Sequence, residues 1–301
     1  MNRREFVKLG LCSSFLAGMA FYGKNYISEN KNNDNINLND DHLDYLEVSA
    51  VDHCNFHCKY CYHFSTIATK HFYDIKKYTQ DLERIADITS GNISNYKIIG
   101  GEPLLHPQIN EIMSLSRKYF QGASMFLATN GILLNYMGEN FWQTLSDNNI
   151  YLIISFYSNK INWQTIFDNI KRYNIETNMT QEILENIDDH LTKIFENLNM
   201  DFSGSQTDMT RCSNCYNNCT ILQNSKIYKC PLASNIHYLN KKYNLDLKLS
   251  KEDYLDIYKI KSLKELLSLR ENSVPFCKYC REPINQKWEI STKHTSDEWG
   301  S

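Results

Sequence analysis

The sequence predicts an α/β fold: a parallel sheet, either open and doubly wound or closed into a full or partial barrel, followed by a small cysteine-rich domain. Three observations predict it. Strand-like apolar runs alternate with helix-period segments from about residue 42 to 198. The connections between them are short, which favours repeated strand-helix units and hence a parallel sheet. Beyond about residue 205 the alternation gives way to cysteine-rich loops. A chain of 301 residues can bury roughly 75% of its unfolded surface, enough for one large domain and a small one.

In chain order, Asn2-Arg3-Arg4-Glu5-Phe6-Val7-Lys8 precedes an apolar stretch from Leu9 to Tyr22. That stretch is shorter than the about 20 apolar residues a membrane-spanning helix needs, and it suits a signal-peptide core. It resembles a twin-arginine export signal, with Gly18-Met19-Ala20 as a cleavage site. Export, membrane contact through residues 1–22 without cleavage, and an inert leader all stay open. Cys12 is a poor lipoprotein site because Leu11 stands where a small residue is expected, so it reads as a buried thiol. Residues 23–41 are polar, rich in Asn and Asp, and read as a linker. The folded part then alternates: strand at Leu46 to Val51, helix at Tyr73 to Ile88, strand at Tyr96 to Ile99, helix at Gln108 to Tyr119. It continues with a strand at Ser124 to Ala128, a helix at Asn140 to Asp147, a strand at Ile150 to Phe156 and a helix at Trp163 to Tyr173. A weaker strand at Ile175 to Met179 and a helix at Gln181 to Leu198 close the series. The expected domains are a leader and linker over 1–41, a core over 42–205 and a cysteine-rich domain over 206–301.

A formal net charge of −3 and a pI near 6.3 leave no basic footprint, so the sequence excludes nucleic-acid binding as a primary role. Ten cysteines fall into groups: Cys12 alone, Cys54 with Cys58 and Cys61, Cys212 with Cys215, Cys219 and Cys230, and Cys277 with Cys280. Such short gaps favour metal ligation over a disulfide framework, because neighbouring thiols bridge poorly across them.

Ligands gather at the carboxyl ends of parallel strands, and four signals fall there. Cys54, Cys58 and Cys61 follow the first strand, Gly100-Gly101-Glu102-Pro103 the second, Thr129-Asn130-Gly131 the third, and Ser155 closes the fourth. Three thiolates can hold three irons of a cubane and leave the fourth open. On spacing alone, a zinc site completed by His53, His57 or His63 is the alternative. A glycine pair at a strand end lets backbone approach a ligand closely, and Glu102 can accept from an ammonium. Thr129, Asn130 and Ser155 are each also ordinary strand-end caps. Trp288, His294 and Trp299 in the tail are assigned no role.

Cys-x3-Cys-x2-Cys with Tyr60 directly before the third cysteine resembles the signature of the radical S-adenosylmethionine (SAM) superfamily, and Gly100-Gly101-Glu102 follows in that family's order. The resemblance covers about residues 44 to 180. It implies a partial (β/α)6 TIM-type barrel. It also implies a [4Fe-4S] cluster on Cys54, Cys58 and Cys61 whose open iron chelates SAM, with Tyr60 near the adenine. Gly100, Gly101 and Glu102 would hold the SAM amino group, and Thr129, Asn130 and Ser155 the ribose or carboxylate. The implied reaction is reductive cleavage of SAM to methionine and a 5′-deoxyadenosyl radical, which abstracts hydrogen from a sugar, other small molecule or peptide. A low-potential donor such as flavodoxin or ferredoxin would supply the electron. SAM and such donors are cytoplasmic supplies, which sets the chemistry against export. Cys219, Cys230, Cys277 and Cys280 look like the ligands of a second [4Fe-4S] cluster in a short twitch-type, SPASM-related auxiliary domain. There Ser225 replaces a usual glycine, so a distorted hairpin is expected, and Cys212 or Cys215 could stand in for Cys219. A structural zinc ribbon is the alternative for this region, and a non-enzymatic zinc or electron-transfer protein is the alternative for the chain.

Overall fold

The computed structural model describes residues 42–197, 199–207, 219–271 and 273–301. The leader, the linker, Cys212 and Cys215 lie outside the described residues. Four strand-helix units come first: β1 (Leu43–Val51), α1 (Ile75–Thr89), β2 (Ile93–Gly100), α2 (Ile109–Tyr119), β3 (Ser124–Thr129), α3 (Glu139–Asp147), β4 (Ile150–Ile154) and α4 (Trp163–Arg172). These strands lie side by side in sequential order, each pair parallel.

Strand alternation explains the two faces. Leu46, Val48, Ile98, Leu127 and Leu152 point one way and pack with Tyr78, Leu82, Ile112, Leu145 and Ile166 of the four helices in a single core. Tyr45, Ile99, Phe126, Ala128 and Ile153 form a separate, smaller cluster on the other face. Sequential order with all four helices on one side is barrel-type winding, so the doubly wound alternative falls away and the partial barrel stands. The helices form because their apolar residues recur at three- and four-residue spacing. In α1 the side chains of Tyr78, Leu82 and Ile85 are wholly buried, each aliphatic one contributing about 2 kcal/mol. Asp74 caps that helix by accepting from Lys77 N at 2.9 Å, and Ser90 ends it in a left-handed turn.

Two expected elements differ. Ile175 to Met179 does not form a strand; a single bridge joins Thr177 to Leu152. The Asn178 side chain takes the main-chain bonds a fifth strand would make, accepting from Ile154 N and donating to Ile154 O, both at 2.8 Å. The helix expected over Gln181 to Leu198 breaks into α5 (Gln181–Glu185) and α6 (Ile187–His190) and then becomes β5 (Ile194–Asn197). Asn186 interrupts it by bonding Glu182 O, and β5 pairs antiparallel with β9 (Ile284–Lys287), a tertiary contact that overrides helical propensity.

After residue 219, β6 (Ile221–Gln223) adds parallel to the free side of β1, followed by antiparallel β7 (Lys226–Tyr228) and β8 (Tyr254–Asp256). The expected distortion of this hairpin is absent. Asn224 and Ser225 both take positive φ, a two-residue turn matched to strand twist. Ser225 is held there by its hydroxyl, which donates to Asp81 Oδ2 at 2.9 Å. Two helices, α7 (Pro231–Tyr243) and α8 (Leu263–Glu271), complete the element order before β9. No helix among the described residues is long and apolar enough to cross a membrane.

Candidate functional site

The cysteine loop is built onto the end of β2 by backbone contact. Gly101 N donates to Val51 O at 2.6 Å and Glu102 N to His53 O at 3.1 Å. A Cβ on Gly101 would lie 2.1 Å from His53 O, and Gly100, at φ +147°, would place one 2.1 Å from Val51 O. The close approach these glycines permit is therefore to the loop that carries Cys54.

Glu102, 1% exposed, joins the ends of β2 and β3. Its Oε1 accepts from Thr129 Oγ1 at 2.7 Å and from Leu104 N at 3.1 Å, and its Oε2 accepts from Asn130 N at 2.9 Å. Burial pushes its pKa up to about 7, against the pull of those donors. Asn130 then reaches the cysteines, donating through Nδ2 to Asn55 Oδ1 at 2.8 Å and to Cys54 Sγ at 3.6 Å. Cys54, Asn130, Thr129 and Glu102 thus form one connected network, while Ser155 lies buried at the end of β4 with an unpartnered hydroxyl. Tyr60 stands in the left-handed region at φ 63°, half-buried on the loop.

All three cysteines are reduced thiols. Burial raises each, Cys58 to about 12, so unligated they stay protonated at neutral pH. Amide donors oppose that effect: Phe56 N lies 3.3 Å from Cys54 Sγ, and the amides of His63, Phe64 and Ser65 act on Cys61. Thiols ringed by N–H groups suit an iron-sulfur cluster, whose sulfurs accept such bonds. The histidines of the zinc alternative lie against other groups. His53 Nδ1 accepts from His71 N at 3.3 Å, His57 packs edge-on to His294, and His63 lies 3.7 Å from Glu47. Among the described residues no three His, Cys, Asp or Glu groups are close enough to hold a single metal ion.

Several contributors carry no local sequence signal. Glu47 and Lys97, register partners on β1 and β2, are wholly buried 3.9 Å apart. Tyr45 donates to Glu47 Oε2 at 2.8 Å, while Glu47 Oε1 and both nitrogens of His63 have no hydrogen-bond partner. The tail, assigned no role above, is a strap on the cysteine loop. Lys59 N donates to Glu289 O at 3.0 Å, Ser291 N to His57 O at 2.6 Å, and Trp299 Nε1 to Cys61 O at 3.0 Å. Trp288 stacks on Phe56 and Tyr157, with centroids 5.7 and 5.0 Å apart. The β5–β9 pairing, with bridges from Cys58 to Ile290 and from Met200 to Gly300, brings this distant segment to the loop, so periodicity could not reveal it.

The second cysteine group is divided. Cys219 is buried and disulfide-bonded, and it sits in the smaller cluster beside Tyr45 and Phe126. Cys230, at the start of α7, and Cys277 and Cys280, around a 3-10 turn, are reduced thiols on the main core.

The sequence model of the Radical SAM superfamily matches residues 48–189. The chain is similar to the GTP 3',8-cyclase of Microcystis aeruginosa, 30% identical over 103 residues, which are 34% of this chain and 31% of that protein. It is 26% identical over 148 residues to the GTP 3',8-cyclase of Trichodesmium erythraeum, 43% of each chain. The chain therefore spans less than half the length of these relatives. Among solved structures, BtrN in complex with AdoMet and 2-DOIA is 16% identical with a TM-score of 0.47, covering 80% of this chain and 93% of that one.

Proposed function

We propose that this chain is an enzyme that reductively cleaves SAM and uses the resulting radical to take a hydrogen atom from a sugar, other small molecule or peptide, a reading supported by the match of the Radical SAM superfamily model to residues 48–189. The observation that carries the reading is the connected network Cys54–Asn130–Glu102–Thr129, which ties the cysteine loop to the ends of β2 and β3. Cys54, Cys58 and Cys61 would hold a [4Fe-4S] cluster, which supplies one electron and an open iron for SAM. Gly100 and Gly101 position the loop. Glu102 fixes Thr129 and Asn130 and keeps one acceptor site on Oε2 for an ammonium. Tyr60, Thr129, Asn130 and Ser155 would line the SAM site. A cytoplasmic setting, where SAM and a donor such as flavodoxin or ferredoxin are supplied, fits this chemistry.

The substrate would lie at the carboxyl ends of the strands, beside the cysteine loop. A second cluster is proposed on Cys230, Cys277 and Cys280, with the fourth ligand from Cys219 after reduction or from Cys212 or Cys215. The core is taken as 42–205 and the auxiliary domain as 206–301.

Anaerobic reconstitution tests this. Iron and sulfide uptake with release of 5′-deoxyadenosine from SAM is expected, with about eight irons if both clusters form. Stoichiometric zinc with intact SAM would overturn it.

A further inference from the structure

We infer that Trp288, carried to the cysteine loop by the C-terminal strap, donates its indole N–H to the sulfur at Cys58 and raises the reduction potential of the cluster held there. The inference rests on the function proposed above and adds a residue to it from outside the matched domain.

The strap is joined to the loop by one antiparallel bridge flanked by two backbone hydrogen bonds. Cys58 bridges Ile290, with Lys59 N donating to Glu289 O at 3.0 Å and Ser291 N to His57 O at 2.6 Å. Lys59 Nζ closes on Glu289 Oε2 at 2.8 Å. Side chains two residues apart on a strand share a face, so Trp288 lies on the face of Ile290 and diagonal to Cys58, within reach of a large aromatic ring. Its plane is set by near-parallel stacking on Phe56, at 8°, and on Tyr157, at 22°. Trp288 N donates to Lys193 O at 3.0 Å, which anchors its backbone to the β5 side.

Within this fixed frame the indole Nε1 is buried and makes no hydrogen bond to any protein group. Indole offers a donor only, and a buried N–H without an acceptor is unfavourable. Sulfur at Cys58, diagonal to Trp288 across the bridge to Ile290, is the acceptor that this arrangement brings to the same face. A hydrogen bond to a cluster sulfur stabilises the more negative, reduced state and so raises the potential.

The test uses the full-length, cluster-loaded protein. W288F keeps an aromatic ring in the stack and removes the N–H. Its cluster, titrated electrochemically with EPR detection at iron content matched to wild type, is expected to have a more negative midpoint. An unchanged midpoint would overturn the inference. A second measurement does not depend on the variant loading: wild type labelled with 15N in its indole nitrogens should show a 15N hyperfine coupling to the reduced cluster, and absence of that coupling refutes the inference alone. Failure of wild type to assemble any cluster would instead remove the proposed function and this inference with it.

Discussion

Glu102 is protonated more readily in the folded chain than in the unfolded one, and Glu102→Gln makes that measurable. Burial raises its folded pKa from 4.5 to about 7. Between these values the folded state holds a proton that the unfolded state has released, so stability is greatest at low pH and falls as pH rises. Over pH 5 to 8 the group's contribution falls by about 2.5 kcal/mol, the integral of a shift worth 1.36 kcal/mol per unit. The substituted amide cannot titrate, and the change also turns one N–H-accepting oxygen into a donor facing Thr129, Leu104 or Asn130. The variant should therefore lose about 1–3 kcal/mol at pH 5. As pH rises towards 8, wild type should approach it. The assay is urea unfolding of metal-free wild type and variant at several pH values under reducing conditions, with titrations common to both cancelling in the difference. A wild-type-minus-variant difference that stays flat from pH 5 to 8 would refute the reasoning.

Other outcomes follow from the same geometry. Gly101→Ala forces a Cβ to within 2.1 Å of His53 O, so iron content after reconstitution should drop sharply and the urea midpoint fall, at a cost of about 1–3 kcal/mol. Asp81, wholly buried, accepts from Tyr73, Ser225 and Tyr258 and pairs with Lys77 at 3.0 Å. Asp81→Ala leaves those donors unsatisfied and loosens the β6–β7 hairpin, so unfolding free energy should fall by about 3 kcal/mol or more. With metal removed, Cys58 near pKa 12 should alkylate far more slowly at pH 7.5 than an exposed thiol, and mass spectrometry of iodoacetamide-treated protein would follow it.

The four strand-helix units were legible because each carries its own period, two for strands and 3.6 for helices, and both faces of the sheet are buried. The placement of Cys54, Glu102 and Asn130 at neighbouring strand ends followed from that alone. Local reasoning failed where distant partners decide. Residues 194–197 read as helix because nothing nearby announces β9, some ninety residues later. The same pairing and a bridge from Met200 to Gly300 bring Trp288 and Trp299 to the cysteine loop, so their role was invisible in a polar tail. Glu47 and Lys97 were hidden in apolar runs, since a buried pair declares itself only when register brings its members opposite. Asn178 replaced a whole strand with one side chain, a substitution periodicity cannot register. Ser225 shows the converse: a residue unsuited to its turn is tolerated because Asp81, far away in sequence, holds its hydroxyl.

The most direct test of the central claim is the EPR spectrum of the reduced, reconstituted protein with and without SAM. If Cys54, Cys58 and Cys61 hold a cluster with an open iron, adding SAM should change the spectrum of the reduced cluster, and Cys58→Ala should abolish both that change and 5′-deoxyadenosine formation. A spectrum indifferent to SAM, with no deoxyadenosine formed, would contradict it.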